Sequence, residues 1–591
     1  MTELDINRLL HRAEQAFLTG QLDSARADLA TIRQATADHP AVHHLTALVE
    51  KKRGDSAAAK RAFVAALHLA PNDPQINSNY ANLLDVLGDS QKALAHYEKA
   101  IATAPAFLDA RFNRAMLLQR LGQYTEALAD IDALLTIRPG EARFHSARGA
   151  LLREAGRLAD AGKSFDAALA LDPKRLVALH GRARVALERG EDQAASHYRR
   201  ALDASASDSQ LLLGYAQALE LEGRASEAIT CLAAAVQGDP AWVEGQALLA
   251  RVRWEAGDGR AFTRDLEAAA AAQRGNADLW RTLASTLAGA DLFAEAADAA
   301  SAGVRLAGAD PRLQLLEALY SSEAGQLDRA DRLFASLPGG LPVQPLNEAR
   351  HALRTHRFDH AAQLLDAARK EEPWSVAAWA LTSLAWRLTD DSRASWLNDQ
   401  PEFVRAMELD LQLEDLTEIA ERLRSLHRTR AHPIHQSLRG GTQTRGRLFE
   451  RTEPEIRRFA ESIKRAVAGY WAELPEMDAT HPLLRHRDRE TMIQGSWSVR
   501  LTGGGFHVAH FHSRGIVSSA TYLAVPESKE PMEGWLEIGA PPAELGLPLE
   551  PLTRIEPVVG RLALFPSYMV HGTRPFSKGE RLTAAFDVVP A

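Results

Sequence analysis

The run Phe506-His507-Val508-Ala509-His510-Phe511-His512 sets two histidines two residues apart. On an extended strand His510 and His512 project to one face, their Cα atoms roughly 6–7 Å apart, so their imidazole nitrogens can converge on one metal ion. His571 follows 61 residues after His510 in LALFPSYMVHGTRPF, just past a predicted strand, and Arg581-Leu582-Thr583 begins ten residues further on. Arg581 and Thr583 share a strand face, where a planar guanidinium fork and a hydroxyl suit a carboxylate. Each feature alone is ordinary. A His-x-His pair can be merely solvated, a histidine after a strand structural, and an arginine ion-paired at the surface. Their order within one strand-rich stretch is what shifts the odds toward a shared site. His507 stands at an odd offset from His510, which turns it to the opposite face of a regular strand.

These side chains need a scaffold, and the sequence changes character to supply one. From Ser496 the hydrophobic period is two: SWSVRLT, IVSSATYLAVP, GWLEIGAP, GRLALFPS and RLTAAFDVV read as short strands broken by Gly and Pro. Several such strands predict an antiparallel sandwich or jelly-roll barrel. Residues 453–474 read as an amphipathic helix packed against it. Residues 401–428 read as one or two further helices. The polar stretch HPIHQSLRGGTQTRGRLF between them reads as an ordered or mobile loop, whose part 437–444, with Gly440-Gly441 as a turn, is either a lid over the pocket or a plain surface loop.

Upstream the pattern is a repeat. Glycines stand at Gly20, Gly54, Gly88, Gly122, Gly156 and Gly190, each 34 residues after the last, then at Gly223 and Gly257. Asp291 occupies the next register and Gly325 restores it. Five residues after nearly every marker comes alanine (Ala25, Ala59, Ala93 and onward), with Phe262 the exception. Pro71, Pro105, Pro139 and Pro173 keep the same beat. The physical reading is a helix pair per unit: glycine in the inter-helix turn, alanine where the helices touch, proline ending the second helix. This resembles the tetratricopeptide repeat (TPR) family, over about ten to eleven units from residue 6 to near 375. The expected fold is a multidomain α + β chain: a solenoid at 1–376, a helical bridge at 377–400, and a module at 401–591 with its β-barrel core at about 490–591. Stacked repeats offer a concave face that commonly binds peptides, so a protein or peptide partner on that face is expected.

Composition narrows the function further. With 69 Lys+Arg against 77 Asp+Glu, the net charge of −8 argues against a nucleic-acid partner. No stretch approaches 18 uninterrupted apolar residues, so no membrane span is expected, and MTELDINRLLHRAEQAF lacks the order of a signal peptide. A single cysteine, Cys231, excludes zinc-thiolate clusters and an internal disulfide framework, and favours a reducing, cytoplasmic setting. It sits on a predicted repeat helix as a small core residue.

The C-terminal motifs resemble those of the Fe(II)/2-oxoglutarate-dependent dioxygenases: a His-x-Asp/Glu, a distal His, then Arg-x-Ser/Thr about ten residues on. Within that family they look most like bacterial and phage oxygenases with a His-x-His, a strand ending in Tyr-Leu and Pro, and a Leu-x-Leu-Phe-Pro-Ser…His segment. The matching stretches here are His510-Phe511-His512, Ala520–Pro526, Leu562–Ser567 and His571. The resemblance implies a jelly-roll oxygenase that uses Fe(II), 2-oxoglutarate and O2, releasing succinate and CO2 as it hydroxylates its substrate. It implies His510 and His571 as iron ligands, and Arg581 with Thr583 on the distal carboxylate of 2-oxoglutarate. Tyr522 is the best candidate for a further polar contact to that co-substrate. His512 departs from the pattern, standing where a carboxylate is usual. It either completes the triad as a third imidazole, or lies outside it, with a remote acid such as Glu537 in its place. Trp497, Phe506, Phe511 and Phe565 are candidate pocket walls, and Arg500 and Arg514 are possible carboxylate binders whose ordinary fate is the surface. Two other readings stay open: a non-catalytic TPR adaptor with a structural metal, and a three-histidine cupin-like enzyme that does not use 2-oxoglutarate.

Overall fold

The structure is a computed structural model and describes residues 2–36, 39–206, 208–341, 343–527 and 530–590. It falls into two compact units, residues 1–182 and 183–591. Its class is α + β, a TPR solenoid of paired antiparallel helices followed by an antiparallel sheet region.

In the first unit, Pro74–Val86 and Ser90–Thr103 show how the repeat folds. Asp73 caps the first helix by accepting from the Ile76 N–H at 2.9 Å, and Pro74 takes the first helical position, where no N–H is needed. Gly88 makes the turn with φ 80°. A side chain there would meet nothing within 4 Å, so the left-handed backbone, not crowding, selects glycine. Asp89 caps the second helix, and Ala93 is fully buried where the helices meet. Phe63, Tyr80 and Tyr97 fill the space between pairs.

The second unit continues the pairs and modifies the turns. Asp291 sits in the glycine register with φ 61°, and later turns use His356 (φ 58°) and Asp390 (φ 52°). Asp390 joins Val376–Leu388 to Arg393–Asn398, so the bridge keeps the helix–turn–helix geometry after its sequence markers have faded. Cys231 is half-buried, and burial pushes its thiol pKa up, as suits an inert side chain.

Among the described residues nine strands follow: β1 (Arg405–Glu408), β2 (Leu438–Gln443), β3 (Thr491–His507), β4 (Val517–Ala524), β5 (Leu536–Ile538), β6 (Thr553–Ile555), β7 (Arg561–Pro566), β8 (His571–Thr573) and β9 (Glu580–Pro590). They form a six-stranded sheet in the order β1-β7-β4-β9-β3-β2 and a three-stranded sheet in the order β6-β5-β8. These pairings are all antiparallel. The helix Pro454–Glu473 packs on the larger sheet as expected, with Phe459 edge-on to Phe449 and Phe449 against Phe586.

Two expectations are corrected. Within 401–428, only Leu413–Leu426 is a regular helix; Arg405–Glu408 extends the sheet beside β7, because a short segment gains more from an open sheet edge than from a marginal helix. The stretch 437–444 is not a loose loop, since β2 pairs with β3 along it. Its glycines serve close packing: a Cβ on Gly441 would lie 2.4 Å from the Arg500 carbonyl oxygen, and one on Gly440 would lie 3.0 Å from the Gly505 Cα.

Around β2 the chain is laced to the solenoid. Residues 428–451 hold six arginines, and this stretch tracks the C-terminal ends of successive repeat helices. Arg428 donates to the Leu221 carbonyl (3.0 Å), the Arg430 N–H to Glu255 (2.9 Å), and the His435 N–H to Gly289 (3.0 Å). Further along, the Arg447 N–H reaches the Glu188 carbonyl (2.8 Å) and Arg451 reaches that of Gly190 (2.7 Å). These are last-turn or turn carbonyls, which lack partners within their helices and carry the negative end of the helix dipole, so arginine and backbone N–H groups suit them.

Candidate metal centre

β3 ends at His507, and the chain beyond it is extended but irregular. There His510 and His571 exchange backbone hydrogen bonds of 2.9 and 2.8 Å, an isolated bridge that clamps the two residues side by side. The ligand atoms of His510, His512 and His571 all lie within 4.8 Å of one another.

The hydrogen bonds fix which nitrogen faces inward. His510 Nδ1 lies 2.9 Å from the Val508 carbonyl oxygen, and His571 Nδ1 lies 3.0 Å from that of Met569. A carbonyl only accepts, so each Nδ1 carries the proton and each Nε2 keeps a lone pair. His512 Nδ1 donates to Asp587 Oδ1 at 2.5 Å. Burial pushes the pKa of His510 down to about 3 and that of His571 well below the usual range, so both are neutral. His510 Nε2 and His512 Nε2 stand 3.2 Å apart, close enough to share a proton or a metal ion. Two nitrogens on one metal at about 2.1 Å and near right angles are about 3.0 Å apart, so the donor set fits a divalent ion.

His507 does not turn away as alternation predicts. Because β3 stops at this residue, the odd offset loses its meaning; the His507 ring lies nearly parallel to that of His510 at 5.8 Å, and Ser437 Oγ sits 3.0 and 3.1 Å from His507 Nδ1 and His510 Nε2. His507 stays outside the three-histidine group. Glu537 pairs instead with Arg554 (3.2 Å), and among the described residues no carboxylate joins the group. Arg500 pairs with Glu580 at 2.8 Å; Arg514 is exposed at the cavity wall.

The histidines open on a cavity of about 880 Å³ that Arg581 and Thr583 also line, with Trp497, Phe511 and Phe565 among its walls. Phe506 and Tyr522 lie outside its lining. Arg581 is only 2% exposed, its Nε has no hydrogen-bond partner, and it makes no ion pair with any described residue. Its guanidinium carbon sits 5.1 Å from the ring centre of Tyr522, whose buried hydroxyl is held protonated by burial. A buried unpaired cation is costly unless an anion meets it.

Asp587 and Ser437 escaped the reading of the motifs. Asp587 had a signal: Arg581, Thr583, Ala585 and Asp587 alternate onto one face of β9, and an acid on an otherwise inward face calls for a partner. Asp587→Asn is expected to lower divalent-metal affinity about tenfold to a hundredfold, since His512 loses the anion that orients it. Anaerobic metal titration checks this; unchanged affinity would show that His512 needs no carboxylate. Another constellation, Ser322–His351–Asp331, has the hydrogen-bond order of a hydrolase triad at 2.8 and 3.1 Å. Ser322 is 1% exposed and its hydroxyl also takes a bond from Arg354, so it is neither accessible nor free to attack.

Residues 495–587 match a family model described as "Putative 2OG-Fe(II) oxygenase". Residues 44–106, 112–175 and 191–252 match tetratricopeptide-repeat models. By these matches the chain carries TPR repeats within residues 44–252 and, at 495–587, a domain similar to that oxygenase family. Within that domain fall His510, His512, His571, Arg581, Thr583 and Asp587, while β1 and β2 precede the match. Among solved structures, a tetratricopeptide repeat protein from Parabacteroides merdae is 19% identical, covering 42% of this chain and 98% of its own, with TM-score 0.33. MamA from Desulfovibrio magneticus is 20% identical, covering 29% and 97%, with TM-score 0.28. No curated protein matches the chain. Among the described residues no helix is long and apolar enough to cross a membrane.

Proposed function

We propose that this protein is an Fe(II)/2-oxoglutarate-dependent dioxygenase that hydroxylates a protein or peptide recruited by its TPR solenoid, releasing succinate and CO2. The observation that carries the reading is the pairing of two features on one cavity: three converging imidazoles, and a buried arginine with no anion among the described residues. His510, His512 and His571 would hold the metal, their Nδ1 protons fixed by Val508, Asp587 and Met569. Arg581 would take the distal carboxylate of 2-oxoglutarate, with Thr583 beside it and the Tyr522 ring packed against its guanidinium. Bound iron supplies the oxygen chemistry; the chain orients the co-substrate before reaction and keeps water from the site with Trp497 and Phe565, which contact His512 and His571. The domain division that goes with this is a solenoid at 1–376, a bridge at 377–400 and a jelly-roll oxygenase module at 401–591, acting in the cytoplasm. A three-histidine enzyme without 2-oxoglutarate has no use for Arg581.

The test is anaerobic addition of Fe(II) and 2-oxoglutarate to the full chain. A weak visible charge-transfer band is expected, followed by succinate when oxygen is admitted. A protein that gives neither is not such an enzyme.

A further inference from the structure

We infer that the repeats between Ala277 and Arg354 are a specificity-determining wall of the oxygenase pocket, holding an uncharged stretch of the substrate peptide beside its reacting residue. This deepens the function proposed above and rests on it. The cavity that contains the three histidines is not closed by the sheet region alone. Phe293, Leu319, Tyr320 and Asn347, all from the solenoid part of the second unit, line it as well. At about 880 Å³ it is near the top of the range of roughly 300–1,000 Å³ for small-molecule sites, more than a small keto diacid at Arg581 needs.

The charges on this wall are already spent on holding it in place. Arg439 of β2 is bonded through two nitrogens to Asp291, each at 2.6 Å, and Arg350 pairs with Glu323 (2.7 Å) and Glu544 (3.2 Å). What the repeats leave for a ligand is aromatic and amide surface: Phe293, Tyr320 and Asn347. Such surface suits apolar side chains and peptide amides, not phosphates.

The repeat itself marks the same place. Every marked turn from Gly20 to Gly257 uses glycine for its left-handed backbone, yet Asp291 adopts φ 61° at the turn beside the cavity. Glycine would make that turn without strain but has no carboxylate for Arg439. Leu438, next to Arg439, pairs with His507, so the ion pair ties the wall to the strand that leads into the metal site.

Asn347→Trp, which fills the cavity from a half-buried position, and Phe293→Ala, which enlarges it, test the inference in the full chain. Each is titrated anaerobically with 2-oxoglutarate, then incubated with Fe(II), 2-oxoglutarate, oxygen and a randomised decapeptide library scanned for peptides that gain one oxygen atom. Both variants are expected to bind 2-oxoglutarate within about twofold of the parent, while Asn347→Trp lowers the yield of oxidised peptide at least about tenfold and Phe293→Ala changes which peptides react. Unchanged yield and profile in both variants overturn the inference, as does a parent that gives the visible band but oxidises no peptide. A parent without the band fails at the metal and co-substrate instead, and removes the reading beneath it.

Discussion

Arg581→Met is expected to abolish useful affinity for 2-oxoglutarate while leaving the protein at least as stable as its parent. The two effects have one cause. Arg581 is 2% exposed, with no ion pair to any described residue. Without a ligand it is a desolvated charge, and replacing such a charge by an apolar side chain of similar length is neutral or stabilising. With a carboxylate in the cavity the same guanidinium forms a buried, charge-assisted pair. Truncating one member of such a pair costs about 2–5 kcal/mol, which is roughly thirtyfold to several-thousandfold in affinity. Arg581→Lys keeps the charge but loses the planar fork, so its affinity should fall between the two. Anaerobic titration of the visible band measures binding, and thermal melting measures stability. A residue that only braced β9 would behave the other way, with stability falling and affinity following it. Unchanged affinity in a folded Arg581→Met protein would remove 2-oxoglutarate from the proposed function.

The parts of this molecule that were legible in the sequence are those set by local periodicity. Gly88 and its partners announce left-handed turns because few other residues enter that backbone cheaply, and the buried alanines announce where helices touch. The inward alternation of Arg581 and Thr583 survives because β9 is a regular strand paired on both sides, with β3 and β4. Reading failed where position depends on distant partners. β1 is a strand only because β7 offers it an edge, and β2 only because β3 does. His507 was misplaced by assuming that the strand continued through His512, when it ends at His507 and the backbone bridge to His571 sets the geometry instead. No local signal could announce that Phe293 and Tyr320, more than two hundred residues upstream of His571, line the same cavity as the histidines. The arginines of 428–451 did carry such a signal, since six in so short a polar stretch ask for acceptors, and the helix ends of the solenoid are those acceptors.

The role of His512 is decided by comparing three alanine variants. His510→Ala and His571→Ala each remove a donor whose lone pair is fixed toward the common point by a backbone carbonyl. Divalent-metal affinity is expected to fall by more than about a hundredfold in each, beyond the tenfold to hundredfold typical of residues that only orient a ligand. If His512 is the third donor, His512→Ala falls as far as the other two. If it merely neighbours the metal, its loss stays within the smaller range and the band with 2-oxoglutarate persists. The geometry favours the first outcome. His512 Nε2 is 3.2 Å from His510 Nε2, the spacing of two nitrogens on one ion, and its Nδ1 is held by Asp587 as metal-bound imidazoles usually are by an outer carboxylate. Asp587 also answers the charge problem that a third neutral imidazole creates. The usual triad places one negative charge on the metal; in the proposed site the Asp587 carboxylate would stand one ring further out, behind His512. His512→Ala should therefore strand Asp587 beside the cavity, and Asp587→Asn in that background should restore no affinity but recover part of any lost stability. The double variant, measured by metal titration and melting, separates a ligand–carboxylate pair from two independent residues.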